Sequence, residues 1–172
     1  MTLEEFANHV VGFVQRNEAW ALPVVFALAL GESLAFISLL LPATVALFGI
    51  GALIAATGIA FVPLCPAAAA GAALGDWLSF WIGVTFKEPV ARVWQLTRYP
   101  DLLPRGHDFV ERYGVYAIFL GRFFGPFRAT VPLAAGILMM PFWPFQFANV
   151  TSALVWAVGL LGSGYYGVKI LM

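Results

Sequence analysis

Charged and apolar residues are sorted along this chain into long blocks. No charged residue occurs from 33 to 75, and none from 129 to 168. A helix needs about 20 apolar residues to cross the hydrocarbon core, so each block is roughly two crossings long, or one crossing plus a re-entrant segment. Pro and Gly punctuate both blocks, which favours broken pieces over uniform helices. Ahead of them, Phe6, Val10, Phe13 and Val14 fall at helical spacing, with Glu5, Asn8, Gln15 and Arg16 elsewhere on the wheel. Thr2 and Glu5 have the spacing of a capping box. Residues 1–18 therefore read as an amphipathic helix lying in the membrane interface, with a short soluble cap helix as the other reading. It is not a signal peptide, because Glu4 and Glu5 stand where positive charge belongs.

The remainder, 19–172, reads as a single transmembrane domain. Residues 20–30 are apolar and end at Gly31-Glu32. The stretch 33–56 is interrupted by Pro42, and 61–86 is broken early by Pro63 and Pro66. The one hydrophilic stretch, 87–112, holds Lys87, Arg92, Arg98, Arg105 and Arg112. Only Lys and Arg count in the positive-inside rule, which makes 87–112 a cytoplasmic loop. The segment 113–140 contains Arg122, Arg128, Gly125-Pro126 and Pro132. A final helix is predicted over 143–171, with Trp143 and the Tyr165-Tyr166 pair as interface anchors. Along 61–86, Ala68, Ala72, Gly75, Ser79 and Gly83 form a stripe of small residues that lets another helix approach closely, with Asp76 beside it facing protein.

Composition agrees. Of 172 residues, 62% are hydrophobic and 10% charged, against roughly 25% charged in a soluble domain. The class is an all-α integral membrane protein, not a soluble enzyme or a disordered tail. Nine basic residues cancel nine acidic ones, so no net field recruits nucleic acid. Cys65 is the single cysteine and forms no internal disulfide. No Cys/His cluster offers a metal site, no cofactor fingerprint is complete, and His107 reads as solvated. Gly31-Glu32-Ser33-Leu34-Ala35 is one residue from a nucleophile elbow but lacks its context and a partner His.

Four charges, Glu32, Asp76, Arg122 and Arg128, lie inside the apolar stretches. Each costs about 2.5–3.5 kcal/mol near the bilayer centre. They must be paired, wetted, or near the interface, and two of each sign permit a neutral buried network. Arg122 and Arg128 would face apart on a straight helix, but Gly125-Pro126 lies between them and breaks it. Such a break can turn both guanidinium groups toward one site. It is tolerated at membrane depth only when buried in protein or lining a wet cavity. Leu41-Pro42, after Glu32, is the equivalent place in the first half. Two Pro-interrupted apolar segments, one carrying acid and one base, point to a transporter site built from discontinuous helices.

These residues resemble the DedA family, whose defining unit is the VTT (SNARE-associated) domain. The resemblance is carried by Gly31-Glu32-Ser33 with Leu41-Pro42, by Gly71, Gly75-Asp76, Trp81 and Gly83, by Gly121-Arg122-Phe123 with Pro126 and Arg128, and by Gly136 and the Asn149…Trp156 helix. It spans roughly 25–168. It implies two re-entrant, Pro/Gly-broken hairpins facing each other, with flanking transmembrane helices, in a multi-pass protein of the bacterial inner membrane. It also implies transport rather than enzyme catalysis, namely movement of lipids such as undecaprenyl phosphate or phospholipid between leaflets, in some members linked to proton-motive force. The family's first-hairpin acid falls on Glu32 and its arginines on Arg122 and Arg128. Many members carry a second acid where this chain has Thr44, a departure that bears on proton coupling.

The expected mechanism follows. Arg122 and Arg128 bind the phosphate of an anionic lipid head group, since guanidinium groups donate parallel hydrogen bonds and stay charged. Thr44 adds a hydroxyl, and Glu32 pairs with an arginine when the site is empty. Phosphate, or a proton on Glu32, releases that pair. Asp76 orients an arginine or holds helices together. Pro42, Gly125 and Pro126 make the hairpin breaks. The partners are membrane lipids, with a homo-oligomer left open. The alternatives are a proton-coupled small-ion transporter or channel that affects the envelope indirectly, and a scaffold whose ion pairs are only structural.

Overall fold

The structure, a computed structural model, describes residues 3–34, 43–57, 61–86, 102–124 and 127–171. The described elements are all helical. They are α1 (Leu3–Arg16), a 3-10 turn (Glu18–Trp20), α2 (Ala21–Ser33), α3 (Ala43–Thr57), α4 (Phe61–Thr85), α5 (Leu102–Tyr113), α6 (Val115–Gly121), α7 (Phe127–Ile137) and α8 (Phe142–Leu171). Two apolar stretches, Phe61–Thr85 and Phe142–Gly167, are long enough to cross a membrane. At 1.5 Å per residue each exceeds the roughly 30 Å hydrocarbon core.

Two expectations change. The stretch 61–86 is not broken early, because α4 runs through both prolines. Pro63 lies in the first turn, where an amide has no intrahelical acceptor to lose. The carbonyl that Pro66 leaves without a donor belongs to Val62, which is 78% exposed at the start of the helix. The second half of the hydrophilic stretch is also not loop but α5. Its buried side, Gly106 and Val110, packs toward α7, where Gly106 approaches Thr130. The charges on its outer face mask this period in the sequence. The break at Pro42 lies outside the described residues, as do Gly125 and Pro126.

Among the described residues, the second half of the chain repeats the element order of the first. Helices α1 to α4 and α5 to α8 each run polar-faced helix, short helix, second helix, long helix. The packing follows the same order: α2 on α4 and α6 on α8, α1 on α3 and α5 on α7. The halves then exchange partners, α3 crossing α8 and α7 crossing α4. Both crossings are made on glycine. A Cβ on Gly51 would lie 2.5 Å from the Leu161 carbonyl oxygen, three residues before Gly164, and one on Gly164 would overlap that of Phe48, three before Gly51. A Cβ on Gly83 would overlap the Leu133 carbonyl, three before Gly136, and one on Gly136 that of Phe80, three before Gly83. Small residues let backbones meet where no hydrophobic force drives helices together in lipid.

The small-residue stripe on α4 is buried along its length and serves two neighbours. Gly71 and Gly75 meet α2 at Phe26, Leu30 and Ser33, while Gly83 meets α7. Two apolar clusters flank the crossings. One is built from α2, α3, α4 and α8 with Val14 of α1, and the other from α5 to α8 with Phe80, whose ring stacks on Phe145 at 4.2 Å. Local signals end the short helices. Gly114 supplies φ +56° between α5 and α6, which glycine adopts freely. Helix α7 stops with Met139 at φ +56°, the Met139 and Met140 amides donating to Gly136 and Ala135 at 3.0 Å in a Schellman arrangement.

Gly136→Ala forces α4 and α7 apart and is expected to cost about 1–3 kcal/mol, as overpacking does. Gly159→Ala meets open space and is expected to be neutral. Melting of the two variants in detergent checks this; equal melting temperatures would contradict the close crossing.

Candidate functional site

Each of the four charges in the apolar stretches sits where a helix end or a glycine contact puts it. Glu32 lies in the last turn of α2, and Asp76 follows Gly75 in the middle of α4. Arg122 follows α6, and Arg128 is the second residue of α7. All four are buried, at 6%, 2%, 4% and 8% exposure respectively. Glu32 and Arg128 each stand at the unfavourable end of their own helix dipole, acid at a C-terminus and base at an N-terminus. Each therefore depends on its partner.

Two ion pairs result. Arg128 Nη1 donates to Glu32 Oε1 at 2.6 Å and Nη2 to Ser33 Oγ at 3.2 Å. Its guanidinium carbon lies 4.1 Å from the centre of the Trp156 ring, a cation–π contact strengthened by desolvation. Arg122 Nη2 donates to Asp76 Oδ2. It also donates to Asn149 Oδ1 at 2.7 Å, and Nε donates to Ser152 Oγ at 3.0 Å. Asn149 is itself held, giving Nδ2 to the Ala73 carbonyl at 2.9 Å. Arg122 is thus fastened to α4 and α8 by three side chains. Arg128 is held by one carboxylate, one hydroxyl and a ring face.

The pairs belong to one network. Ser33, beside Glu32, packs on Gly75, beside Asp76, and Ser79 Oγ reaches the carbonyls of Gly75 at 3.0 Å and Ser33 at 3.4 Å. On α8, Ser152 touches one arginine and Trp156 the other; four residues apart, they are separated by about 6 Å of helix rise. The network is incompletely satisfied. Among the described residues Arg122 Nη1, Arg128 Nε and Asp76 Oδ1 have no hydrogen-bond partner. Buried polar atoms are nearly always partnered, so these two donors are unmet hydrogen-bonding positions of the network.

The structure therefore brings Glu32, Asp76, Arg122 and Arg128 together. Thr44 lies in the first turn of α3 with its side chain outside the described residues. Sequence reasoning left out Ser33, Asn149, Ser152 and Trp156 as first partners of the arginines. Asn149, Ser152 and Trp156 follow helical spacing inside an uncharged stretch, and that spacing is the signal that could have found three of them. Elsewhere, ligand atoms of His107, Asp108 and Glu111 lie within 4.8 Å of one another on α5, as acids and a histidine do on a solvated face.

Comparison with known proteins places this architecture. The VTT domain matches residues 41–166, and the chain belongs to this family, the DedA family of membrane proteins. It is 36% identical over 144 residues to inner membrane protein YabI of Escherichia coli K12, covering 84% of this chain and 57% of that protein. It is 31% identical over 147 residues to an uncharacterized membrane protein of Buchnera aphidicola subsp. Acyrthosiphon pisum, covering 86% and 57%. It is 34% identical over 119 residues to inner membrane protein YghB of E. coli K12, covering 67% and 53%. The chain spans little more than half the length of these relatives. No solved structure matches it.

Asp76→Ala leaves Arg122 buried without its counter-charge, a loss of about 3–5 kcal/mol. Adding Arg122→Met removes the stranded charge and is expected to restore much of that stability. Detergent melts of the single and double variants test this; a double variant no better than the single one would contradict a buried pair.

Proposed function

We propose that this chain carries a phosphate-headed lipid, a polyprenyl phosphate such as undecaprenyl phosphate or a phospholipid, between the leaflets of a bacterial inner membrane. The observation that carries the reading is the unequal fastening of two buried arginines, each with a donor left over. Arg122 is the fixed donor. Arg128 is the exchangeable one, because it donates to two side chains, Glu32 and Ser33, where Arg122 donates to three. Lipid phosphate takes the place of the Glu32 carboxylate on Arg128 and accepts from Arg122 Nη1. The N-terminal turn of α7 favours the incoming anion as it disfavours the resident cation. A proton on Glu32 opens the same pair, which provides for proton coupling, with Thr44 as a further hydroxyl donor.

On this reading the segments around Pro42 and Gly125-Pro126 are re-entrant hairpins that face each other, and α1 lies in the membrane interface. The exchange of partners at the glycine crossings supports it, since related halves are how transporters present one site to two sides. The protein is a multi-pass transporter and not an enzyme. It works without a cofactor.

The test is a leaflet-exchange assay in reconstituted vesicles. Arg128→Lys keeps the charge but loses the fork, and exchange is expected to fall about tenfold or more. Wild-type exchange in both Arg122→Ala and Arg128→Ala would falsify the site. Currents on supported membranes without lipid exchange would instead support the small-ion transporter. If coupling to a pH gradient survives unchanged in Glu32→Gln, Glu32 is not the proton carrier.

A further inference from the structure

A second feature lies outside the ion pairs. Where α5 meets the start of α7 there is a cavity of about 300 Å³ lined by Arg105, Asp108, Phe109, Arg112, Tyr113 and Phe127. The first four are spaced i, i+3, i+4 and i+7, so one face of α5 presents them all. Arg105 and Arg112, two turns apart, stand at the two ends of that face, with Asp108 between them. Aromatic rings form the wall. Phe109 lies 5.7 Å from Phe127 and 4.8 Å from Tyr113, and the Arg112 guanidinium sits over the Tyr113 ring at 5.7 Å.

This cavity stands at the junction of the hydrophilic stretch 87–112 and the apolar stretch that follows it. In a membrane protein that junction is the level of lipid phosphates, where aromatic residues also gather. Two guanidinium groups fit one phosphodiester. The acid between them is misplaced for a bare anion, but it fits a cation carried next to the phosphate, and the ring wall adds cation–π attraction for that cation.

We infer that the α5–α7 cavity binds the head group of a zwitterionic phospholipid, its phosphate on Arg105 and Arg112 and its ammonium against Asp108 and the aromatic wall. The site does not depend on the transport reading, although Phe127 in its wall immediately precedes Arg128. A lipid held here lies beside the N-terminus of α7.

The test is native mass spectrometry of the full chain released from detergent, with dioleoyl phosphatidylethanolamine and dioleoyl phosphatidylglycerol as probes. Wild-type protein is expected to retain phosphatidylethanolamine in preference to phosphatidylglycerol. In Arg105→Gln/Arg112→Gln, retention is expected to fall about tenfold, as loss of charge-assisted hydrogen bonds implies. Asp108→Asn is expected to reverse the preference toward phosphatidylglycerol. Arg16→Gln, on α1, serves as the control for an exposed arginine elsewhere. Unchanged circular dichroism melts confirm that the substitutions leave the fold intact. Wild-type retention in the double variant, or an unshifted preference in Asp108→Asn, would overturn the inference. So would equal affinity for glycerophosphoethanolamine without acyl chains, which would mark a site for soluble phosphates.

Discussion

Charge placed in an apolar medium governs this structure. Four ionised groups sit where water is scarce, and each alone costs about 2.5–3.5 kcal/mol. The fold answers by bringing together the end of α2, the middle of α4, the turn after α6 and the start of α7, which lie far apart in sequence. The resulting contacts, Glu32 with Arg128 and Asp76 with Arg122, bridge both halves of the chain. Glycine makes this closeness achievable. Gly75 admits α2 beside Asp76, while Gly83 and Gly136 admit α7 beside α4. A methyl group at any of these glycines would run into the facing helix.

The two pairs are alike in charge but not in restraint. Arg122 is enclosed by Asp76, Asn149 and Ser152, and Asn149 is locked to the α4 backbone. Removing any one partner leaves the others in place. Arg128 rests on Glu32, Ser33 and the Trp156 ring, so it donates to two side chains where Arg122 donates to three. A buried ion pair is weak evidence for stability and is often retained for another purpose. On the proposed function the asymmetry divides the labour between an anchor, Arg122, and an exchangeable ligand-holding group, Arg128, which lies over the Trp156 ring.

Much of this was legible in the sequence because charge is so scarce in it. The block pattern identified a helical membrane protein, and the isolated acids and bases singled out Glu32, Asp76, Arg122 and Arg128. The stripe from Ala68 to Gly83 announced the buried face of α4. Which acid meets which base was not legible, since pairing depends on how α6, α7 and α8 cross α4, and a charge has no directional signature in sequence. Helix α5 was hidden because charges on its outer face outweigh the short buried side at Gly106 and Val110. Proline misled at Pro63 and Pro66, where its effect depends on position in the helix rather than on its presence. The internal repeat left a trace in the sequence: Ala43-Thr44-Val45-Ala46-Leu47 and Ala129-Thr130-Val131-Pro132-Leu133 open α3 and α7. Each motif precedes the glycine on which its helix crosses the other half.

The central claim is that lipid phosphate takes the place of Glu32 on Arg128 while Arg122 stays fastened to Asp76. Its most direct measurement is the dipolar coupling between lipid ³¹P and ¹⁵N-labelled arginine side chains, recorded by solid-state NMR on the full chain in bilayers containing a polyprenyl phosphate. The account expects close phosphorus–nitrogen contact at guanidinium nitrogen that weakens in Arg128→Lys, where Arg122 Nη1 is the guanidinium donor left in the ion-paired site. Equal coupling in wild type and Arg128→Lys, or none in either, would contradict it.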